Sequence, residues 1–164
     1  MNIDSNPSEI ENELKKLGYW DNMYSKNDCF GTGQTILANF AKDIIEKNFI
    51  KNMLELGCGQ GRDSVFFAKL GCNIVAIDIS ENAIKFVERI KYDENLKNLQ
   101  LVISDIQKPL NFQNLKFDMV YSNLSLQFFD LSKLSNIFSN ISDVISSGSF
   151  FLFSTKKAGD KYYN

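Results

Sequence analysis

The stretch Glu55-Leu56-Gly57-Cys58-Gly59-Gln60-Gly61-Arg62-Asp63 concentrates the residue types that can do chemistry. Three glycines alternate with other residues between an apolar run and a helix-like run. Glycine at such a turn permits positive φ and lets a ligand approach the backbone closely. The spacing G-x-G-x-G differs from the dinucleotide fingerprint G-x-G-x-x-G, since Arg62 holds the sixth position. A phosphate-cradling P-loop is also absent, because no Gly-Lys-Ser/Thr follows. Glu55 places a negative charge at the entry to the turn, which opposes a pyrophosphate and suits a cation. Asp78 closes the next apolar run. An acid at that place can accept both hydroxyls of a ribose.

These features together describe a nucleoside without phosphates that carries positive charge. S-adenosylmethionine has that chemistry: an adenosine, a sulfonium and an amino-acid ammonium. The competing reading is a glycine turn that only packs a helix on a strand, because a glycine fingerprint by itself is weak.

The elements that must hold this turn follow a repeating pattern. Apolar runs at Met53–Leu56, Asn73–Asp78, Leu99–Ser104, Phe117–Ser122 and Ser149–Ser154 read as strands. Between them lie helical patterns at Arg62–Leu70, Ser80–Ile90 and Leu131–Ser146, with Ser80 as an N-cap and Gly71 and Gly148 as stops. The last helix has apolar residues at 131, 134, 137, 138, 141, 144 and 145. Ahead of this block, Ser8 and Glu11 stand at capping-box spacing and Gly18 is expected to end that first helix. Residues 19–33 read as an irregular aromatic segment with Tyr19, Trp20, Tyr24 and Phe30. A helix over Thr35–Asn48 presents Ile36, Leu37, Phe40, Ile44 and Ile45 on one face. Strands alternating with helices predict an α/β chain with a parallel sheet covered on both faces. Ligands of such sheets sit beyond the carboxyl ends of the strands.

Composition narrows the chemistry. The chain has 164 residues and no histidine, which removes Ser-His-Asp and Cys-His catalysis and His-ligated zinc. Cys29, Cys58 and Cys72 form no C-x-x-C pair, so neither a disulfide framework nor a metal site is expected. The formal net charge is −2, and Arg62 and Arg89 are the only arginines. A nucleic-acid-binding face is therefore not expected. No long apolar run or signal peptide is visible, so the protein is expected in the cytoplasm, without a membrane partner.

Four stretches resemble the motifs of class I S-adenosylmethionine-dependent methyltransferases, in order: LELGCGQGRDSVFFA (54–68), VAIDIS (75–80), LVISDI (101–106) and FDMVYSNLSLQFF (117–129). The resemblance runs from about residue 34 to 154. It implies a Rossmann-like, doubly wound sheet of strand order 3-2-1-4-5. It divides the chain into an N-terminal helix and aromatic lid segment (1–33) and an S-adenosylmethionine-binding methyltransferase domain (34–164). It also assigns roles. Gly57, Gly59 and Gly61 line the methionine part of the cofactor, with Cys58 beside them, and Glu55 lies near the ammonium. Asp78 holds the ribose hydroxyls, Ile79 and Ile106 sandwich the adenine, and Asp105 accepts from its amino group. Ser122 completes the cofactor set. Asp63 equally suits a helix first turn.

The subclass is similar to the tellurite-resistance and thiopurine groups of small-molecule methyltransferases. Tyr19-Trp20-x-x-x-Tyr24 matches a segment that helps cover the cofactor. Trp20, Tyr24, Asn123 and Gln127 are then the lid and substrate residues, although many relatives carry His where this chain has Gln127. The Asn/Asp-Pro-Pro-aromatic motif of amine-methylating nucleic-acid enzymes, a Pro-Cys nucleophile and paired glutamates are all missing. No catalytic side chain is assigned, and Tyr121 and Tyr24 read first as packing. Transfer from a sulfonium is an in-line displacement in which alignment does most of the work. A base is needed only for a protonated, high-pKa acceptor, so a soft or readily ionised small molecule is expected.

Such folds end in an antiparallel hairpin beside strand five, and the chain stops at Asn164 without room for one. Phe150-Phe151-Leu152-Phe153 then becomes an uncharged edge. A shortened chain, a homodimer through that edge, or an inactive relative would each account for it. The rivals to a small-molecule methyltransferase are an S-adenosylmethionine-binding protein without turnover, a nucleic-acid or protein methyltransferase, and a nicotinamide-dependent oxidoreductase.

Overall fold

The structure is a computed structural model, and it describes residues 17–25, 30–31, 33–112 and 115–157. Five strands, β1 (Asn52–Leu56), β2 (Asn73–Asp78), β3 (Leu99–Ile103), β4 (Phe117–Asn123) and β5 (Ile145–Ser154), form one sheet. Its order is β3-β2-β1-β4-β5, with every pairing parallel. Helix α1 covers residues 17–24 of the described chain. It is followed by α2 (Ile36–Asn48), α3 (Arg62–Lys69), α4 (Glu81–Asp93) and α5 (Leu131–Ser142), with a single 3-10 turn at Leu126–Phe128.

The pleat divides the core into two layers, as alternation along a strand requires. Met53, Ile74, Ala76, Met119 and Tyr121 point to one face and pack with Ala38, Ala41 and Ile45 of α2, Phe67 of α3 and Val87 of α4. Leu54, Leu56, Val75, Ile77 and Val120 point to the other and pack with Ile106, Leu126, and Ile137 and Ile141 of α5. Central strands buried on both faces explain the unbroken apolar runs.

Six expectations are corrected. The last helix stops at Ser142 rather than Ser146, and β5 starts at Ile145 rather than Ser149. The Phe117 N–H donates to the Val144 carbonyl (2.9 Å) and Ile145 pairs with Phe117, so the sheet takes these residues. Gly148 is therefore no helix stop. It sits at φ 89° within β5, where the register with β4 shifts. Such an irregularity is eased by a glycine, and the Ser149 hydroxyl donates to the Phe117 carbonyl across it (2.8 Å).

At the other end, Gly18 lies inside α1 instead of ending a helix, and residues 19–24 are helical rather than irregular. The i,i+4 spacing puts Trp20 and Tyr24 on one side of α1, where their rings stack. The Ser8 and Glu11 capping box lies outside the described residues. Finally, α2 buries its small residues Ala38 and Ala41, leaving Ile36 90% and Phe40 58% exposed. Close helix packing uses alanine here, with Ile45 buried and Leu37 and Ile44 half-buried against the same core, so that of the expected face Ile36 and Phe40 are turned outward.

Candidate functional site

The glycine turn leaves the carboxyl end of β1 and is fastened to β2. The N–H groups of Gly57 and Cys58 both donate to the Ile77 carbonyl (2.8 and 3.0 Å). The Gly61 N–H donates back to the Cys58 carbonyl (2.9 Å), closing the turn. Gly57, Gly59 and Gly61 all have positive φ, at 71°, 52° and 74°. A Cβ on Gly57 would lie 2.4 Å from Ser125 Cβ, one on Gly59 2.7 Å from the Tyr24 hydroxyl, and one on Gly61 2.7 Å from both Val87 methyls. The three glycines thus serve three neighbours: the turn after β4, the aromatic segment and α4.

Three buried carboxylates surround this turn. Asp78, at the end of β2, accepts the Gly59 N–H on Oδ2 (2.8 Å) and the Ser80 N–H on Oδ1 (2.9 Å). Each oxygen keeps acceptor capacity beyond that one bond. Burial raises the Asp78 pKa against the pull of those amides. Glu55 accepts from the Ser64 hydroxyl (2.5 Å), and burial, then the Asp63 charge, pushes its pKa well up. Asp63 accepts the Thr35 N–H (2.8 Å) and hydroxyl (2.8 Å) and the Tyr121 hydroxyl (2.6 Å). It is a junction joining α2, α3 and β4, more than a residue suited to a helix dipole. Tyr121 is buried, and its phenol pKa is driven far up by burial and by Asp63. That suits a packing hydroxyl rather than an acid or base. Cys58 is likewise buried, with its thiol pushed up.

The loop after β3 lies beside this turn, as the Ser104 N–H donates to the Asp78 carbonyl (2.9 Å). Asp105 accepts the Gln107 N–H (2.9 Å) and side-chain amide (3.0 Å). Ile106 is buried in the second core layer, and Ile79 is half-buried at the end of β2.

The acceptor-side residues are held by other protein groups. The hydroxyls of Ser122 and Ser125 lie 2.7 Å apart and 3.2 and 2.9 Å from the Leu56 carbonyl oxygen, so their two protons are shared among these three contacts. Asn123 accepts from the Ser154 hydroxyl (2.5 Å), and Gln127 accepts the Lys156 N–H (2.9 Å). Leu124 is left-handed at φ 57°.

The aromatic segment packs against the glycine turn, at Tyr24, and against the turn after β4, at Trp20. Trp20 packs edge-on against Phe128 (4.9 Å between centroids) and stacks with Tyr24 (5.9 Å), which in turn meets Phe30. Arg62 donates from Nε to the Gly33 carbonyl (2.7 Å). Sequence reasoning missed Asp21, Thr35, Ser64 and Ser125 as members of this assembly. Thr35 and Ser64 gave only helix-edge signals, and Asp21 gave none beyond its place after Trp20.

The family model for the tellurite resistance protein TehB matches residues 21–162. The chain belongs to the TehB family. A probable S-adenosyl-L-methionine-dependent methyltransferase TehB of Haemophilus influenzae is 32% identical over 100 residues, which are 61% of this chain and 34% of that protein. A malonyl-[acyl-carrier protein] O-methyltransferase of Buchnera aphidicola is 32% identical over 135 residues, 82% of this chain and 51% of that protein. Among solved structures, TehB from H. influenzae superposes with a TM-score of 0.63 at 25% identity, covering 84% of this chain and 44% of that one. An S-adenosylmethionine-dependent methyltransferase from Clostridium acetobutylicum reaches 0.69 at 24% identity, covering 88% and 58%. The TehB-family chain thus spans about a third of one and half of the other of these two curated relatives. No helix among its described residues is long and apolar enough to cross a membrane.

Proposed function

We propose that this chain binds S-adenosylmethionine at the β1–β2 turn and transfers its methyl group to a small-molecule acceptor by in-line displacement. The observation that carries the reading is the pairing of a left-handed glycine turn with three buried carboxylates. A phosphate would meet repulsion there, whereas a cationic nucleoside meets complementary charge. Relatives named as S-adenosylmethionine-dependent methyltransferases support the same reading.

Bound S-adenosylmethionine supplies a methyl group already activated on a sulfonium. Gly57, Cys58, Gly59 and Gly61 present backbone to its methionine part, and Glu55 offsets the ammonium. Asp78 accepts the ribose hydroxyls with the lone pairs its two amide contacts leave. Ile79 and Ile106 enclose the base, Asp105 meets the amino group, and Ser122 fixes the floor through Leu56. Trp20 and Tyr24 cover the site and exclude water. Asn123 and Gln127, tied to Ser154 and Lys156, form a shaped wall rather than a proton relay. With no histidine and a phenol pushed to high pKa, that wall suits an acceptor arriving soft or ionised. Nucleic acid is not the expected acceptor.

The same reading gives the protein a cytoplasmic setting. It also gives the uncharged outer edge of β5, which pairs with no strand among the described residues, to a second copy of the chain. Sedimentation at two concentrations checks that pairing. The cofactor assignment is checked by calorimetry of S-adenosylmethionine and S-adenosylhomocysteine. Micromolar binding by the wild type, lost in Asp78→Ala, is expected. A folded wild type that binds neither ligand overturns the assignment.

A further inference from the structure

A contact between α1 and α4 stands outside every role assigned above. Asp21 follows Trp20 in α1, and its side chain reaches Ser80 and Asn82 at the start of α4. Its Oδ1 accepts the Ser80 hydroxyl (2.8 Å) and the Asn82 N–H (2.9 Å). Its Oδ2 accepts the Asn82 side-chain amide (2.9 Å), which also donates to the Asp21 carbonyl (3.1 Å). This carboxylate from another element thereby sits at the start of α4, where the helix leaves N–H groups unpaired and favours negative charge. Ser80 itself joins two acids: its hydroxyl goes to Asp21 and its N–H to Asp78. The far end of the aromatic segment has its own anchor, Arg62 on the Gly33 carbonyl.

We propose that Asp21 is a positioning residue that latches the aromatic cover to the start of α4, next to Asp78, and so sets how fast the cofactor leaves. The inference rests on the cofactor reading given above. Rings alone can slide, because stacked aromatic contacts tolerate displacement. A carboxylate with three side-chain contacts and a carbonyl with a fourth fixes both the height and the rotation of α1. The Asn82 N–H and Ser80 hydroxyl also hold the Asp21 carboxyl below its ordinary pKa, so the latch is charged at neutral pH. Latch and ribose acid share one turn, so opening the cover and loosening the ribose contact are expected to be coupled through Ser80.

Trp20 is the single tryptophan of the chain, so its fluorescence reports the cover directly, with or without ligand. The test uses the full chain as wild type, Asp21→Ala, Asp21→Asn and Asn82→Ala. It reads apo Trp20 emission, acrylamide quenching, far-UV circular dichroism and the release rate of S-adenosylhomocysteine. Asp21→Ala is expected to red-shift the emission, raise quenching and speed release by about tenfold, the scale of losing charge-assisted hydrogen bonds, with the dichroism unchanged. Asp21→Asn keeps the two bonds at one oxygen and falls between. Asn82→Ala removes the two side-chain amide contacts and leaves the Asn82 N–H and the Ser80 hydroxyl on Oδ1, so it weakens the latch from the other side, and the double variant is less than additive. It also decides the matter should Asp21→Ala fail to fold. Unchanged emission in Asp21→Ala and Asn82→Ala overturns the latch. Shifted emission with wild-type release overturns its role in retention. A wild type that binds no S-adenosylhomocysteine overturns the cofactor reading and the retention role together, while the apo fluorescence still judges the latch.

Discussion

The two halves of the site solve different problems. Beyond β1 and β2, the backbone is glycine at every left-handed position and the side chains are carboxylates with acceptor capacity to spare. Beyond β4 and β5, the left-handed residue is Leu124, and Ser122, Asn123 and Gln127 spend hydrogen bonds on other parts of the protein. The first half buries carboxylates, which penalises their charged form at a cost in stability that a cationic ligand removes. The second half spends its polar groups on rigidity and leaves shape to select a partner. A methyl donor that already carries its leaving group makes that division workable, because orientation replaces proton transfer.

The largest expected effect separates the halves directly. Asp78→Ala removes an acceptor for two ribose hydroxyls and frees the Gly59 and Ser80 amides. A loss of S-adenosylhomocysteine affinity of at least about a hundredfold follows from charged hydrogen bonds of this kind. Gln127→Ala, on the other side, is expected to change that affinity less than about threefold, since its bond is to Lys156 and not to the cofactor. Calorimetry on both variants checks the contrast, and equal losses would erase it.

Next comes stability. Asp63→Ala takes the acceptor from the Thr35 N–H and leaves the Tyr121 and Thr35 hydroxyls beneath the turn with only their weaker mutual contact (3.1 Å) to donate to. Unpaired buried groups on this scale lower unfolding free energy by about 3 kcal/mol. Asn123→Ala loses one contact to Ser154 near the surface and is expected to cost about 1 kcal/mol. Denaturant melts of the two variants measure the difference.

How far this assembly can be read from the amino acids depends on range. The alternation of strands and helices and the clustering of Gly57, Gly59, Gly61 and Asp78 were legible from local patterning and the rule for carboxyl ends, and the strand order from the family resemblance. The Asp63–Tyr121 bond was not, since no local signal links residues on α3 and β4. The Asp21–Ser80 contact was hidden for the same reason. The end of α5 was misplaced because Val144 and Ile145 continue a helical stripe equally well. Only pairing with Phe117 decides for the sheet. Ile36 and Phe40 were misjudged because periodicity marks an apolar face without saying that alanines give the closer approach.

The pH dependence of the apo protein tests whether the carboxylates of the first half are strained by burial. Glu55 and Asp78 have folded pKa values above their unfolded ones. The folded state therefore holds protons that the unfolded chain has released. Stability is greatest below the unfolded carboxyl pKa of about 4 and falls as pH rises through the raised folded values. Each such proton contributes a slope of up to about 1.4 kcal/mol per pH unit within that window. Asp21 and Asp130, whose pKa values are lowered, act in the opposite sense and only at lower pH. Melts between pH 5 and 7 should show declining stability, and Glu55→Gln should flatten the decline. A stability that rises over this range would mean the first half is not charge-strained.

The smallest effect compares left-handed backbone on the two sides. Leu124 adopts φ 57° with its N–H held by the Ser154 carbonyl (3.1 Å) and hydroxyl (3.2 Å). A branched-chain residue in that region carries a strain of roughly 1–2 kcal/mol, and glycine relieves it at an entropic cost of roughly 0.5–1 kcal/mol. Leu124→Gly is therefore expected to stabilise by less than about 1 kcal/mol. Gly57→Ala has the opposite sign and a larger size, because its Cβ meets Ser125 Cβ at 2.4 Å in addition to the unfavourable φ. Should Leu124→Gly stabilise the fold while slowing turnover with any acceptor, the strain at Leu124 serves the wall's shape. Should it stabilise without slowing turnover, the strain is incidental to the turn, and shape selection rests on Asn123, Gln127 and the cover above them.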